Sequence, residues 1–390
     1  MRFRLRIPQV NPTVMEVPTE CPYDGCEGRH FKLHQKGCSK PLRDMKYTQV
    51  KADRYECLRC HRTFRVYPQG VSGAHCSDTL KGLAVLLYIL GISYGGVEDV
   101  LTALGCFLSK SAVFRDVQAA GEQARKLRRR WLHQQRGQVQ VMGSDVTQVR
   151  CAGKSMVVGI SVNGKDGFAL DISVLDDETA ETLTSWLQPV AELVGAEVLT
   201  TDDADAFKLV AEELGLKQQL CRVHITKNVL NSIAELAGQA WATPPPPIPE
   251  GLEVNANQLL EDLAELEWII LGHPGSGEKM LEKLHLRYAH APAPRQGETA
   301  TIWYRMRLLT LHLWNHWKKI TLYQRWRDRG QEKLDETNNA SERGIGWWIK
   351  DRYRSMRGYK RKQSILNVSS LLAWVGAQPT GYNLAAVYAA

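Results

Sequence analysis

Apolar positions recur at helical spacing from His75 onward. Leu80, Leu83, Ala84, Leu87 and Leu90 form one stripe that ends at Gly91. The segment 93–105 then predicts a short helix closed by glycine, and Ser109 is a suitable N-cap for a further helix. Two helices joined by a tight turn predict a helix-turn-helix within residues 75–136, and a plain helical bundle is the alternative. In the first interpretation the residues that face the DNA major groove are Lys110, Ser111 and Arg115.

Strand patterns replace the helical ones after residue 137. Three β-rich runs at 138–150, 154–163 and 167–175 are separated by turn residues and predict an antiparallel meander. Helices and strands then alternate: the predicted elements are a helix near 177–194, a strand at 197–201, a helix near 204–215, a strand at 218–221 and a helix from Ile225. The order β-β-β-α-β-α-β-α predicts a mixed sheet of the ribonuclease H-like type.

Residues 231–334 predict an amphipathic helical insertion that interrupts this core, with a proline-rich connector at 244–249. Its tryptophans at helical spacing suit core packing, and a stacking platform for a splayed nucleotide at Trp303 is the alternative. We therefore predict a multidomain α+β chain. Its parts are a zinc ribbon (1–70), a helix-turn-helix domain (75–136), the core (137–230), the insertion (231–334), and the second part of the core with a basic C-terminal helix (335–390).

Composition and charge narrow the classes of function. With 44% hydrophobic and 24% charged residues the chain is globular, and the N-terminal segment MRFRLRIPQV has no apolar signal region, so we expect a cytoplasmic, nucleoid-associated protein. The net charge of +8 is unevenly distributed. Residues 1–136 carry 23 Lys and Arg against 12 Asp and Glu, residues 137–300 carry 11 against 24, and residues 301–390 carry 16 against 6. Two basic segments around an acidic one predict that the chain holds a polyanion.

Four of the nine cysteines fall in two closely spaced pairs, Cys21 with Cys26 and Cys57 with Cys60. Two such pairs about thirty residues apart are typical of a zinc ribbon, in which four thiolates hold one structural Zn²⁺. Buried cysteines without metal are the alternative. Other possible ligands lie nearby, and they are His30, His34, Cys38 and His61.

Two aspartates occur where a sheet of this type carries chemistry. Asp145 lies within the first strand, where aspartate is disfavoured, and Asp202 follows the fourth strand at its carboxyl end. If the two strands are neighbours, the carboxylates are close enough to share a divalent cation. Asp203 and Asp205 compete with Asp202 for this role, and Asp202 could instead cap the next helix.

The segment Asn338-Asn-Ala-Ser-Glu342-Arg343, together with Asp145 and Asp202, resembles the DDE transposases of bacterial insertion sequences. Cys221-Arg-Val-His224 resembles a Cys-x-x-His signature on the last strand of Mutator-like transposases. The resemblance implies Glu342 as the third carboxylate and two Mg²⁺ (or Mn²⁺) ions held by the triad. It leaves open whether His224 contacts the scissile phosphate or braces the site.

This resemblance also implies cleavage of the terminal inverted repeats of a mobile element, strand transfer into target DNA, and a homodimer or higher homo-oligomer. Phosphate contacts are expected from the basic run on the third helix and from the residues after Glu342: Arg128, Arg129, Arg130, Arg343, Lys350, Arg352, Arg354 and Arg357. Two alternatives are a transposase-derived DNA-binding regulator without activity and a nuclease that cuts without joining.

Overall fold

A computed structural model describes residues 3–242, 247–326, 333–356 and 358–388. Arg357, one of the predicted phosphate contacts, and prolines 244–246 of the predicted connector lie outside the described residues. Within the described part no helix has both the length and the apolar character that crossing a bilayer requires.

The described part of the N-terminal region is built from six strands, most of which pair antiparallel. The strands are β1 (Leu5–Arg6), β2 (Asn11–Met15), β3 (Phe31–Pro41), β4 (Gln49–Cys57), β5 (Thr63–Val66) and β6 (Pro68–Gln69). Strands β3, β4 and β5 form one antiparallel sheet, and β2 pairs with β6. Strand β1 pairs in parallel with Tyr382–Asn383 near the other end of the chain. Strand β1 therefore links the N-terminal region to the C-terminal segment of the chain.

The helices predicted after His75 are present, and they are α1 (Asp78–Ile89), α2 (Tyr94–Ala103) and α3 (Lys110–Gln134). Each begins after a serine whose side chain accepts a backbone N–H of the first turn, and these serines are Ser77, Ser93 and Ser109. Their apolar faces share one continuous core with the large sheet and with the C-terminal helices. The boundary predicted at residue 136 therefore does not separate two cores, because α3 shares its core with the large sheet and with the C-terminal helices.

The strands and helices of the large sheet follow one another along the chain in the predicted order. Its strands are β7 (Val141–Cys151), β8 (Lys154–Asn163), β9 (Ala169–Leu175), β10 (Val198–Thr201) and β11 (Lys217–Leu220), arranged as β11-β10-β7-β8-β9. The first three are antiparallel, whereas β10 runs parallel to β7 and β11 parallel to β10. The helices that alternate with the strands are α4 (Ala180–Val194), α5 (Asp205–Glu213) and α6 (Arg222–Ala240). Separate apolar clusters cover the two faces of this sheet.

The helical insertion has a core of its own. Its helices after α6 are α7 (Ala256–Gly272), α8 (Gly277–Tyr288), α9 (Ile302–Ile320) and α10 (Leu322–Trp326). Because α6 runs without a break to Ala240, the insertion starts inside that helix rather than at residue 231. Trp303 lies fully buried in this core, and its indole N–H donates to the carbonyl oxygen of Pro247 at 2.9 Å. The stacking platform predicted at Trp303 is wrong, because no face of the ring is accessible.

The chain returns to the sheet through α11 (Asn339–Gly344), a π-helical turn (Ile345–Lys350), α12 (Asp351–Met356) and α13 (Lys362–Gly376), followed by β12 (Tyr382–Asn383) and a 3₁₀ turn (Leu384–Val387). Helix α13 is almost wholly buried against α3 and β9. The predicted basic C-terminal helix is therefore two elements: the basic residues precede α13, and α13 itself is a core helix.

Candidate active site and cysteine cluster

The register of the sheet brings Asp145 and Asp202 side by side. Strand β10 pairs with β7 at a constant offset of 57 residues, from Val198 opposite Val141 to Thr200 opposite Gly143. The same offset takes position 145 to position 202. Neighbouring strands lie about 4.8 Å apart, so both carboxylates occupy the same level of adjacent strands. The predicted adjacency of these strands is confirmed.

Asp145 shows the electrostatic effect of this arrangement. The pKa of Asp145 is raised to about 7, mainly by burial, and the nearby carboxylates of Asp202 and Glu342 also contribute to the rise. The backbone N–H of Val146, which donates to Oδ1 at 2.7 Å, and the imidazole of His224 lower it. Asp145 therefore interacts with two further carboxylates at this point of the sheet, and a divalent cation there would relieve their repulsion.

Glu342 reaches this point because α11 lies very close to β7. Asn338, directly before α11, donates from Nδ2 to the carbonyl oxygen of Ser144 at 2.9 Å and accepts from the Ser341 hydroxyl at 2.7 Å. A Cβ at Gly143 would lie 2.6 Å from the Ser341 oxygen, so the strand must have glycine there. The sequence pattern included Asn338 but did not predict that its side chain joins α11 to β7. It also did not predict that position 143 requires glycine.

Asp203 is bound by two basic side chains instead of interacting with Asp145. Its Oδ2 accepts from His312 Nε2 at 2.8 Å, and its Oδ1 lies 2.9 Å from Lys208 Nζ. Burial raises the pKa of Asp203, but the contacts with His312 and Lys208 outweigh it and leave the pKa below its ordinary value. Asp205 also pairs with Lys208 and is exposed. Of the three aspartates, the interactions with Asp145 thus favour Asp202 as the second ligand.

The Cys-x-x-His motif was predicted on the last strand. It lies instead at the start of α6. Cys221 is the N-cap residue of the helix, and His224 lies in its first turn. His224 Nδ1 is 3.7 Å from Glu342 Oε1. The motif therefore contacts the third carboxylate directly.

The four predicted zinc ligands come together at the end of β4. The Sγ atoms of Cys21 and Cys60 are 3.8 Å apart, as are those of Cys26 and Cys57, and all four lie within 4.8 Å of one another. A tetrahedral ion with Zn–S bonds of about 2.3 Å requires sulfur–sulfur distances of about 3.8 Å, so the donor set fits Zn²⁺.

The alternative zinc ligands lie outside this cluster. Cys38 lies within β3 opposite Ala52, and His61 Nδ1 faces Glu56 at 3.5 Å. Among the described residues, neither these two nor His30 or His34 joins the four thiols.

The predicted DNA-contacting residues differ in accessibility. Most of them are exposed, and these are Lys110, Ser111, Arg115, Arg129, Arg130, Arg343 and Arg354, with Lys350 half-buried. Arg128 is 3% exposed and pairs with Asp171 at 3.2 Å, and Arg352 is equally buried and donates to the carbonyl oxygens of Gly91 and Ile92. Phosphate contacts by Arg128 and Arg352 are therefore excluded, because both guanidinium groups are used inside the fold.

Residues 75–243 match the sequence model of a family described as Transposase, Mutator family. The resemblance to Mutator-family transposases is confirmed. The matched segment contains α1 to α3, the whole sheet, Asp145, Asp202 and the Cys-x-x-His motif, whereas Glu342 lies beyond it. Comparison with curated proteins gave no match.

Solved structures give weaker similarities. One is the HTLV-2 integrase catalytic core domain in complex with magnesium, in its trimeric form, with 14% identity, coverage of 34% of this chain and 84% of that chain, and a TM-score of 0.19. Another is the catalytic core domain of BIV integrase, with 13% identity, coverage of 45% and 83%, and a TM-score of 0.18. At these scores the fold assignment depends on the strand order instead.

Proposed function

We propose that the chain is a DNA transposase that binds the terminal inverted repeats of a mobile element and catalyses metal-dependent cleavage and strand transfer. The observation that carries this proposal is the convergence of Asp145, Asp202 and Glu342 from two parallel strands and a helix that follows the insertion. The Mutator-family match over the same sheet supports it.

The carboxylates suit the chemistry of phosphoryl transfer. Asp145 interacts electrostatically with Asp202 and with Glu342, and these three carboxylates would hold the divalent ions. When bound, two Mg²⁺ or Mn²⁺ ions supply a nucleophile at neutral pH and neutralise charge on the phosphate. The protein contributes the placement of the three carboxylates, which Asn338 and Gly143 maintain by holding α11 against β7.

Basic side chains that follow Glu342 and others on α3 would contact DNA. Arg343 follows Glu342 directly, and Lys350 and Arg354 continue along the same helical segment. Lys110, Ser111 and Arg115 at the start of α3 would contact the terminal repeat. Arg129 and Arg130 would contact phosphate groups of the DNA backbone. The cysteine cluster, loaded with zinc, would hold the N-terminal strands in a fold suitable for binding DNA ends. Because two ends must be brought together, we expect a homodimer or higher homo-oligomer on double-stranded DNA.

The test uses the purified full chain, a labelled DNA end that carries the repeat, a target plasmid and Mg²⁺. Asp145→Asn, Asp202→Asn and Glu342→Gln should each abolish cleavage and joining while binding of the labelled end persists in a mobility-shift assay. Glu181→Gln, an exposed change on α4, is the matched control. Asp203→Asn should retain cleavage, since that side chain is engaged by Lys208 and His312.

The alternatives give different products. A regulator would bind the end without cutting it, and a nuclease would cut without forming joined products on a sequencing gel. Full cleavage by Asp145→Asn or Glu342→Gln would contradict the assignment of the site.

A further inference from the structure

Beside the carboxylate triad lies a second set of metal-binding atoms with different chemistry. Cys221 Sγ, one nitrogen of His224 and one oxygen of Glu342 lie within 4.8 Å of one another. Cys221 Sγ is 3.8 Å from Glu342 Oε1, and His224 Nδ1 is 3.7 Å from the same oxygen. Glu342 is therefore shared between the triad and this sulfur–nitrogen–oxygen set.

Cys221 lies where a metal could reach its sulfur together with His224 and Glu342: burial raises the pKa of the free thiol, and nearby backbone N–H groups lower it. The residue is buried, is the N-cap of α6, and receives the backbone N–H of Asn338 at 3.3 Å. Backbone N–H groups at a helix N-terminus stabilise negative charge on sulfur. The sulfur thus accepts a backbone N–H from Asn338 and lies next to Glu342 and His224.

The imidazole of His224 faces the same point. Its Nδ1 atom is buried and makes no hydrogen bond within the described structure, and the ring as a whole is about two-fifths exposed. A buried ring nitrogen without a hydrogen-bond partner, close to a thiol and a carboxylate, is an available metal ligand.

The donor set selects the metal. Mg²⁺ takes oxygen ligands, whereas a thiolate, an imidazole and a carboxylate together favour Zn²⁺. Tetrahedral zinc with bonds of about 2.0–2.3 Å places such ligand atoms about 3.3–3.6 Å apart, a few tenths of an ångström closer than here. Three protein ligands also leave the fourth position open, as in zinc sites that accept water or a substrate oxygen.

We propose that Cys221, His224 and Glu342 form a second zinc site, separate from the four-cysteine cluster, and that zinc bound there removes Glu342 from the magnesium site. The second half of this statement rests on the proposed function, because it requires Glu342 to hold the catalytic ion. Zinc would then inhibit DNA cleavage in competition with Mg²⁺.

Zinc content tests the site without any catalytic readout. The full chain is equilibrated with excess Zn²⁺, passed through a desalting column and measured by inductively coupled plasma mass spectrometry. Wild type should hold one more zinc per chain than Cys221→Ser, and Cys38→Ser, which changes a half-buried cysteine outside both clusters, should match wild type. Equal zinc in wild type and Cys221→Ser would overturn the site. Zinc-edge anomalous diffraction from wild-type crystals gives the same decision if Cys221→Ser does not fold: a peak at Cys221 supports the site, and peaks confined to the four-cysteine cluster overturn it.

Cleavage assays test the inhibition separately. Each protein's rate with added Zn²⁺ is divided by its own rate in Mg²⁺ alone, and the half-inhibiting zinc concentration should rise at least ~10-fold in Cys221→Ser, as expected when a ligand set is weakened. An unchanged half-inhibiting concentration would refute the competition. A chain that binds the extra zinc but never cleaves DNA would instead refute the proposed function and leave the zinc site intact.

Discussion

Replacing Arg128 with methionine distinguishes a structural role from a DNA-binding role for the basic run on α3. The guanidinium is buried, donates to Asp171 Oδ1 at 3.2 Å and reaches the Ser370 hydroxyl at 3.3 Å. Removing one partner of a buried ion pair costs about 3–5 kcal/mol. Asp171 keeps its hydrogen bonds from the Trp186 indole and the Ser173 hydroxyl, so we expect the lower end, about 3 kcal/mol.

Urea unfolding followed by tryptophan fluorescence measures this loss. At a denaturant dependence of about 3 kcal/mol per molar urea, the midpoint should fall by about 1 M. Arg129→Met, on the exposed side of the same helix, is the matched control and should leave the midpoint unchanged.

DNA binding as a function of salt gives the complementary result. If Arg129 contacts a phosphate, its loss reduces the slope of log affinity against log salt by about 0.9, whereas Arg128→Met should keep the wild-type slope. An unchanged urea midpoint together with a reduced slope in Arg128→Met would refute the buried role of this arginine.

Two other changes test the cysteine cluster and a half-buried acid. Gly28→Ala should reduce the zinc bound at the four-cysteine cluster, measured by mass spectrometry, because the added Cβ would lie 2.4 Å from Cys57 Sγ. Gly95→Ala is the control and should retain full zinc, because its added Cβ meets open space. Full zinc in Gly28→Ala would contradict the packing around Cys57. Burial raises the pKa of Asp116 from 3.8 to about 6, although Lys81 and Arg115 lower it, so the folded state loses stability as the pH rises from about 4 to 6. Asp116→Asn should therefore be more stable than wild type by about 1–2 kcal/mol above pH 6 and equal to it below pH 4, after allowance for partial exposure, and a thermal-unfolding series that shows no pH-dependent difference would refute this.

Local sequence patterns determined much of the fold. The helices from His75, the three-stranded meander and the later alternation of helices and strands follow from periodicity and capping residues, and these signals depend on nearby positions only. The pairing of Cys21 and Cys26 with Cys57 and Cys60 was also predictable, because zinc-ligand spacing is local within each pair.

Other features depended on contacts between residues far apart in the chain. A basic run on a helix has the same sequence pattern whether each side chain is exposed or buried. Only the contacts of α3 with β9 and α13 showed that Arg128 is buried while Arg129 is exposed. The same holds for Trp303, whose helical spacing suits either a core or a surface.

The candidate site divides along the same line. The sequence by itself determined which residues are available: Asp145, then Asp202, Asp203 or Asp205, then the Cys-x-x-His motif, and finally Glu342. The tertiary structure decided between the aspartates, since the register of β10 against β7 places Asp202 beside Asp145 while Lys208 and His312 engage Asp203. It also placed Cys221 against Glu342, 121 residues away in the chain. Contacts across such separations depend on how sheet and helices pack, and no local pattern encodes that packing.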